Sequence, residues 1–432
     1  MTRCLAVAVS AAAFALTAWA QTDDLRHVNL ESFDYVWKTI RDKYWDPNMG
    51  GLDWDAVRDR LRPRMEKART PEEARAVLEQ MLASLKQSHF AILPTETALN
   101  ISGEGGPGTL GIDVRVIGKR ALVTTVAPDS PAAQAGVQTG WDVSRVDSTA
   151  IAPIIATLDR TYAESTLREL TLSRAVEQHL EGGIGQAATV AFIDGADRQE
   201  ERRLKFTPPP GVPTKFGYLP EMYVSFESRR LAGESKRIAG EIGYFRLNVF
   251  LEPAKVMDAF GKAVTSCADC RGFILDIRGN PGGIGAMAMG LAGWFVSKSG
   301  ERLGTLYLRN STLNFVIYPR AETFNGPLAI LVDGASASTS EILAGGLQDL
   351  GRAHIVGSRT AGAALPSVIE MLPNGDGFQY AVANYISEGG KVLEGRGVIP
   401  DTPAPPTREA LLRHEDTALN AAIDWIDRQG KK

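Results

Sequence analysis

Serines alternate with small residues in Val332-Asp333-Gly334-Ala335-Ser336-Ala337-Ser338-Thr339-Ser340-Glu341-Ile342. The apolar run Leu328–Val332 before them reads as a buried strand. Ile342, Leu343 and Leu347 after them recur at helical spacing. The pattern predicts strand, tight turn, helix, with the serines at the turn. A serine so placed lies at the positive end of the helix dipole, beside N–H groups without intrahelical partners. Those groups can stabilise an oxyanion that forms on an atom the serine attacks. An ordinary Ser/Thr N-cap satisfies the same pattern. A second stretch, Phe273-Ile274-Leu275-Asp276-Ile277-Arg278-Gly279-Asn280-Pro281-Gly282-Gly283, is another apolar strand running into a Gly-rich turn before an apolar helix. Glycines there let the backbone approach a ligand closely and present N–H groups. A plain strand-to-helix turn is the bland reading of either stretch alone; two in one domain begin to look like a site.

These stretches resemble the S41 family of serine peptidases, the C-terminal-processing and tricorn-like proteases. Ser-Ala-Ser-Thr-Ser-Glu-Ile (336–342) looks like the family's nucleophile motif, with its middle serine at Ser338. Residues 276–283 look like its Asp-x-Arg-x-Asn-x-Gly-Gly signature. The processing proteases pair their serine with a downstream lysine. Here that position is Ala363, whose methyl cannot take a proton. The tricorn-like branch uses instead a Ser-His pair in its N-terminal helical part and a glutamate near the C-terminus. Leu85-Lys86-Gln87-Ser88-His89-Phe90 and Leu393-Glu394-Gly395-Arg396-Gly397 match that pattern in type and order. The resemblance implies Ser338 as nucleophile, His89 as base, and Ser88 and Glu394 as groups that orient the imidazole. The Thr339 N–H with a Gly282 or Gly283 N–H would form the oxyanion hole, and Asp276, Arg278 and Glu341 would shape the site. An Arg278–Glu341 pair is equally readable as structural. A lone histidine in a turn is ordinarily a solvated or capping residue; the missing lysine and the tricorn-like match are what single out His89.

The elements that must position these residues follow in chain order. Residues 1–20 carry Arg3, an apolar run and Ala18-Trp19-Ala20, the pattern of a secretory signal peptide cleaved after Ala20. That places the protein in the periplasm or outside the cell. Residues 21–99 read as a helical region. Phe33, Trp37, Ile40 and Tyr44 make one apolar stripe, and Thr70-Pro71-Glu72-Glu73 is a capping box. The helix it starts ends near Lys86, which leaves Ser88 and His89 in the turn beyond. Residues 100–208 resemble a PDZ domain, with Leu110, Gly111 and Ile112 in its carboxylate-binding loop, where backbone N–H groups capture a peptide C-terminus. The stretch from Ile151 to Glu181 is longer than such a domain needs and is compatible with packing on it or with covering the active site. After the stiff Pro208-Pro209-Pro210-Gly211 linker, residues 212–432 alternate strands and helices, an α/β layered core. Strands are expected there at 242–247, 272–277, 328–332, 354–357, 368–372 and 379–385.

The 432 residues suffice for two or three domains. A net charge of −4 without a basic run gives no footing for nucleic acid. No segment after the signal is long and apolar enough to span a membrane. Cys267 and Cys270 follow a helix, where a thioredoxin-like site would precede one, so they read as a short-loop disulfide or an idle pair. Zinc would need two further ligands, and no metal or organic cofactor is implied. The expected function is serine endopeptidase activity on peptides or proteins recognised by their C-termini. The rival is a binding protein on a retired protease fold.

Overall fold

A computed structural model describes residues 25–94, 107–219, 221–231 and 240–429. The expected signal peptide, and the expected boundary near residue 100, lie outside them. The described residues divide into two compact units, one drawn from 25–94, Leu308–Ser311 and Ser367–Ala383, the other from the remainder.

In the first unit, residues 25–43 are helical and bury Phe33, Val36 and Ile40, with Tyr44 just beyond. Trp37, expected on that stripe, sits at its half-buried margin. The helix Pro71–Ala83 begins where the capping signal places it. The Thr70 side chain accepts the Glu73 N–H, and Glu73 accepts from Arg69 N–H rather than from the cap itself. Its apolar face, Val77, Leu78, Met81 and Leu82, is buried. Each such side chain stabilises the unit by about 1.5–3 kcal/mol. The helix stops at Ala83, and the turn that follows holds Ser88 and His89. Strand Ala91–Leu93 then pairs antiparallel with Gly377–Ala381, which pairs with Ser367–Met371. That hairpin, expected in the core sheet, belongs to this unit instead. Its turn is fixed by Arg75, which donates from Nε and Nη2 to the buried Asp376 carboxylate at 3.0 Å each.

Two six-stranded sheets, with smaller ones beside them, build the second unit. One has its strands in the order Phe226–Leu231, Ile242–Leu247, Gly272–Asp276, Leu328–Val332, His354–Gly357, Thr402–Pro403, parallel from the second onward. Leu328–Val332 is buried at every position, as a strand covered on both faces must be. Thr417–Gln429 packs Ile423 and Ile426 on one face, against Ile274, Leu331 and Val356. Phe245, Phe260, Phe273, Phe295 and Phe324 interlock elsewhere in the core through tilted and edge-on contacts. The carboxyl ends of three adjacent parallel strands, at Asp276, Val332 and Gly357, open into loops at one edge of the sheet, where open α/β folds carry their sites. The second sheet is antiparallel, in the order Ile112–Ile117, Arg120–Val126, Asp142–Val146, Ala187–Ile193, Gln199–Lys205.

Between Val146 and Ala187 run the helices Ile151–Thr161 and Arg168–His179. Ile151, Ile155, Leu172 and Val176 complete the core of the antiparallel sheet, while Leu167 and Leu170 pack on Ala337, Ala361 and Ala363 in the loops of the parallel sheet. Cys267 and Cys270 form a disulfide. Among the described residues no helix is long and apolar enough to cross a membrane.

Candidate active site

The turn after Leu328–Val332 is held by small buried hydroxyls. Ser336 Oγ donates to Ile277 O at 2.8 Å and Ser340 Oγ to Asn280 O at 2.9 Å, so two of the three serines stitch their turn to the Gly-rich loop. Asp333 finishes the stitching. Its Oδ1 accepts Gly279 N–H at 2.8 Å and Ala335 N–H at 3.0 Å. The middle serine is different. Ser338 is half-buried and has φ 56° and ψ −117°, a conformation that costs a non-glycine residue about 1–3 kcal/mol. Such strain at a strand-to-helix turn is how a serine is held out from the backbone at a nucleophile elbow.

What holds Ser338 there is largely Glu341. Its carboxylate is fully buried and accepts four donors: Thr360 Oγ1 at 2.5 Å and Gly362 N–H at 2.8 Å on Oε1, Ser338 N–H at 3.0 Å and Ala363 N–H at 2.9 Å on Oε2. Burial pushes this carboxyl up to about 7 against the pull of the four donors. Ser338 N–H also reaches Ala363 O at 2.8 Å. The Ser336–Ser340 turn, the Thr360–Ala363 loop and the start of the Thr339–Asp349 helix are therefore one hydrogen-bonded body. Glu341 makes no pair with Arg278.

Arg278 instead clasps Asp276 at 2.6 Å and Asp416 at 2.8 Å, and Tyr244 OH donates to Asp276 at 2.8 Å. Burial works against ionisation of Asp276, but the Arg278 charge and bonds, Arg246 and Tyr244 outweigh it and hold the carboxyl at about 2. With the folded value below the ordinary one of about 4, the stabilisation is complete above pH ~4 and is lost as pH falls through ~2. Asp276→Asn is expected to destabilise the protein by about 3–5 kcal/mol at neutral pH, since it breaks a buried pair. Urea unfolding at pH 7 and at pH 3 checks this: the loss relative to the parent should shrink at the lower pH.

Asn280, inside the Asp276–Gly283 stretch and without a signal of its own in the sequence, governs the glycines. Its Nδ2 donates to Leu247 O at 2.9 Å, and its Oδ1 accepts the Gly282 N–H at 2.9 Å. Gly282 N–H is thus committed. Gly283 N–H and Thr339 N–H have no protein acceptor among the described residues, and Thr339 Oγ1 donates to Gly283 O at 3.0 Å. Gly282 lies between the two loops: a methyl on it would fall 2.7 Å from Ser338 Cβ and 3.0 Å from Thr339 N.

Ala363 is 4 % exposed and packs with Ala337, Ala361, Leu167 and Leu170. Glu394 accepts the N–H of its neighbour Ala364 at 3.0 Å, and the loop around Glu394 is tied down by Gly395 N–H on Gly362 O at 2.8 Å. Ser88 and His89, in the first unit, form a pair of their own: Ser88 Oγ and His89 Nδ1 are 2.7 Å apart, and His89 has φ 62°. When Nδ1 carries the proton and donates to Ser88 Oγ, Nε2 is left as an acceptor.

In the antiparallel sheet, Gly111 has φ 79° and donates its N–H to its own Thr109 Oγ1 at 3.0 Å; Leu110 O accepts from Ala132 N–H. Ile112 starts the edge strand opposite Val126. Arg115 in that strand donates to Asp333 at 3.0 Å and to Glu177 of the Arg168–His179 helix at 2.9 Å. Glu169, in the first turn of that helix, lies against Gly334; burial and the nearby Asp333 charge push its carboxyl up to about 7. No short motif announces Asp333 or Arg115, which meet from 218 residues apart.

Residues 241–404 match peptidase family S41, and residues 29–83 match the tricorn protease C1 domain. A carboxy-terminal-processing protease of Bartonella bacilliformis is 28 % identical over 354 residues, 79 % of this chain and 72 % of that one. A carboxyl-terminal-processing protease of Picosynechococcus is 26 % identical over 410 residues, 90 % of this chain and 87 % of that one. Among solved structures, the photosystem II D1 C-terminal processing protease superposes with a TM-score of 0.59 at 24 % identity, covering 90 % of this chain and 98 % of that one.

Proposed function

Because the chain belongs to peptidase family S41 and is a serine-type peptidase, we propose that it is a secreted or periplasmic endopeptidase in which Ser338 is the nucleophile and His89 the base. The observation that carries this reading is the strained Ser338 elbow beside two uncommitted N–H groups, those of Thr339 and Gly283. Ser338 Oγ attacks the scissile carbonyl carbon while its proton passes to His89 Nε2. The carbonyl oxygen gathers negative charge, and the two N–H groups stabilise it without reorganising. The C–N bond then breaks, and the His89 proton leaves with the amine. Water deacylates the enzyme by the same route in reverse. Ser88 is paired with His89 Nδ1, which supports the role of orienting group. Glu394 is the second such group; its bond to Ala364 N–H supports a place beside the nucleophile loop. A buried alanine at the family's lysine position supports a base from elsewhere.

The relatives process protein C-termini by name, and Leu110, Gly111 and Ile112 are proposed to take the substrate's terminal carboxylate in a PDZ-like manner. Hydrolysis of a peptide by the purified protein tests the reading. A peptide with a free C-terminus should be cleaved, its amidated twin much more slowly, because amidation removes the charge that backbone donors favour. The Ser338→Ala variant should cleave neither. Equal rates on the two peptides would refute C-terminal recognition, and undiminished cleavage by Ser338→Ala would refute the nucleophile.

A further inference from the structure

The strand and helix that carry the nucleophile have a second end. The cavity there, of about 580 Å³, lies where Leu328 enters its strand and where Leu350, Gly351 and Arg352 leave the Thr339–Asp349 helix. An 11-residue helix is about 16 Å long, so this cavity is remote from Ser338 and is no part of the site described above. The half-buried Trp425 is its apolar side chain with surface to offer; Lys298, Glu301 and Arg352 are its charged residues.

Arg352 is the unusual member. Its Nε donates to Phe295 O at 2.6 Å, and its Nη2 donates to Phe324 O at 2.6 Å and to Gly326 O at 3.0 Å. Nη1 has no acceptor among the described residues, and no carboxylate there pairs with the guanidinium. Glu301, the acid on the same wall, is held by Lys298 at 2.7 Å. Burial alone acts on the guanidinium and pushes it down to about 10, with no neighbouring anion to oppose the shift. Three carbonyl bonds explain why an arginine knits these loops together. With the Phe295 ring 5.6 Å from its guanidinium carbon they hold the side chain in place, but they leave a half-buried cation without an anionic partner on the wall of an open cavity. Guanidinium is also the side chain best shaped to receive a planar carboxylate or a phosphate.

We infer that this cavity binds a small molecule through an oxyanion, a carboxylate or a phosphate group, which accepts from Arg352 Nη1, while the rest of the ligand lies on Trp425. The site is independent of the catalytic reading. The test is calorimetric titration of the full-length mature protein with inorganic phosphate and, separately, with phenylacetate, at constant ionic strength. At least one should bind one-to-one; phosphate alone identifies a phosphate ligand, phenylacetate alone a carboxylate with an apolar body. Arg352→Gln should weaken that binding by about tenfold or more. Because this variant also removes three loop contacts, Ser297→Asp is measured beside it: it adds a competing carboxylate on the same wall and leaves the Arg352 carbonyl bonds in place. It too should weaken binding about tenfold, with an unchanged circular dichroism spectrum. Absence of binding of both anions at tens of millimolar overturns the inference, as does binding that a folded Ser297→Asp variant leaves unchanged.

Discussion

His89→Ala is expected to lower kcat/KM on a peptide substrate by on the order of 10⁴ to 10⁶, about as far as Ser338→Ala does. Nucleophile and base act as one unit: without an acceptor for its proton, the Ser338 hydroxyl is a poor nucleophile at neutral pH. Nothing at the family's lysine position can substitute. Ala363 is buried, its N–H is held by Glu341, and its methyl lies among Ala337, Ala361, Leu167 and Leu170. Glu394→Gln should cost far less, on the order of tenfold to a hundredfold, because the amide oxygen still accepts the Ala364 N–H and an orienting group is partly replaceable by water. Steady-state kinetics on the three variants ranks them. An order in which Glu394→Gln is worse than His89→Ala would reverse the assigned roles.

Gly282→Ala should be the next most damaging, with a loss in kcat on the order of 10² to 10³ or more. Two constraints meet at this residue. Its φ of 101° is one that L side chains rarely adopt, and the added methyl would fall 2.7 Å from Ser338 Cβ and 3.0 Å from Ala337 O and Thr339 N. Relief requires the Gly-rich loop to withdraw from the nucleophile turn. That would part the Gly283 and Thr339 N–H groups, which Thr339 Oγ1 on Gly283 O now holds in register. Gly285→Ala is the matched control. Gly285 has φ −56°, and its methyl would meet only the Phe315 ring at 3.3–3.4 Å. It should keep most of the parent rate. Comparable losses in the two variants would point to general loop disruption in place of a specific close approach.

The local devices were legible. Alternating small residues after an apolar run gave the elbow; the Thr70 capping signal fixed the helix that ends before Ser88; the Asp276–Gly283 signature marked the facing loop. What could not be read was which distant group completes each device. The runs at 368–372 and 379–385 read as two strands, but they do not show that the second divides into Gly377–Ala381, which pairs with Ala91–Leu93, and Ala383–Ser387, which joins a different sheet. Arg278 announces a cation and not the Asp416 that receives it from 138 residues away. Nor does a Gly-Gly pair say which N–H is free: Asn280 takes that of Gly282 and leaves that of Gly283, a choice set by one side-chain rotamer. The helices between 151 and 180 have one apolar face for the antiparallel sheet, while Leu167 and Leu170 at the start of the second pack on Ala337, Ala361 and Ala363, two roles that one periodicity cannot separate.

The central claim is that a histidine, in place of the family's lysine, takes the serine's proton. The pH dependence of kcat/KM for peptide hydrolysis, measured on the parent and on His89→Ala, tests it most directly. Glu341, pushed up to about 7 by burial, titrates in the same region, so the variant is an essential partner to the parent curve. The parent rate should rise through the ordinary histidine range, near pH ~6.5, and then level off, and His89→Ala should be depressed by orders of magnitude at every pH. A parent rate still climbing through the lysine range near pH ~10, or a His89→Ala rate within about tenfold of the parent across the whole profile, would contradict it.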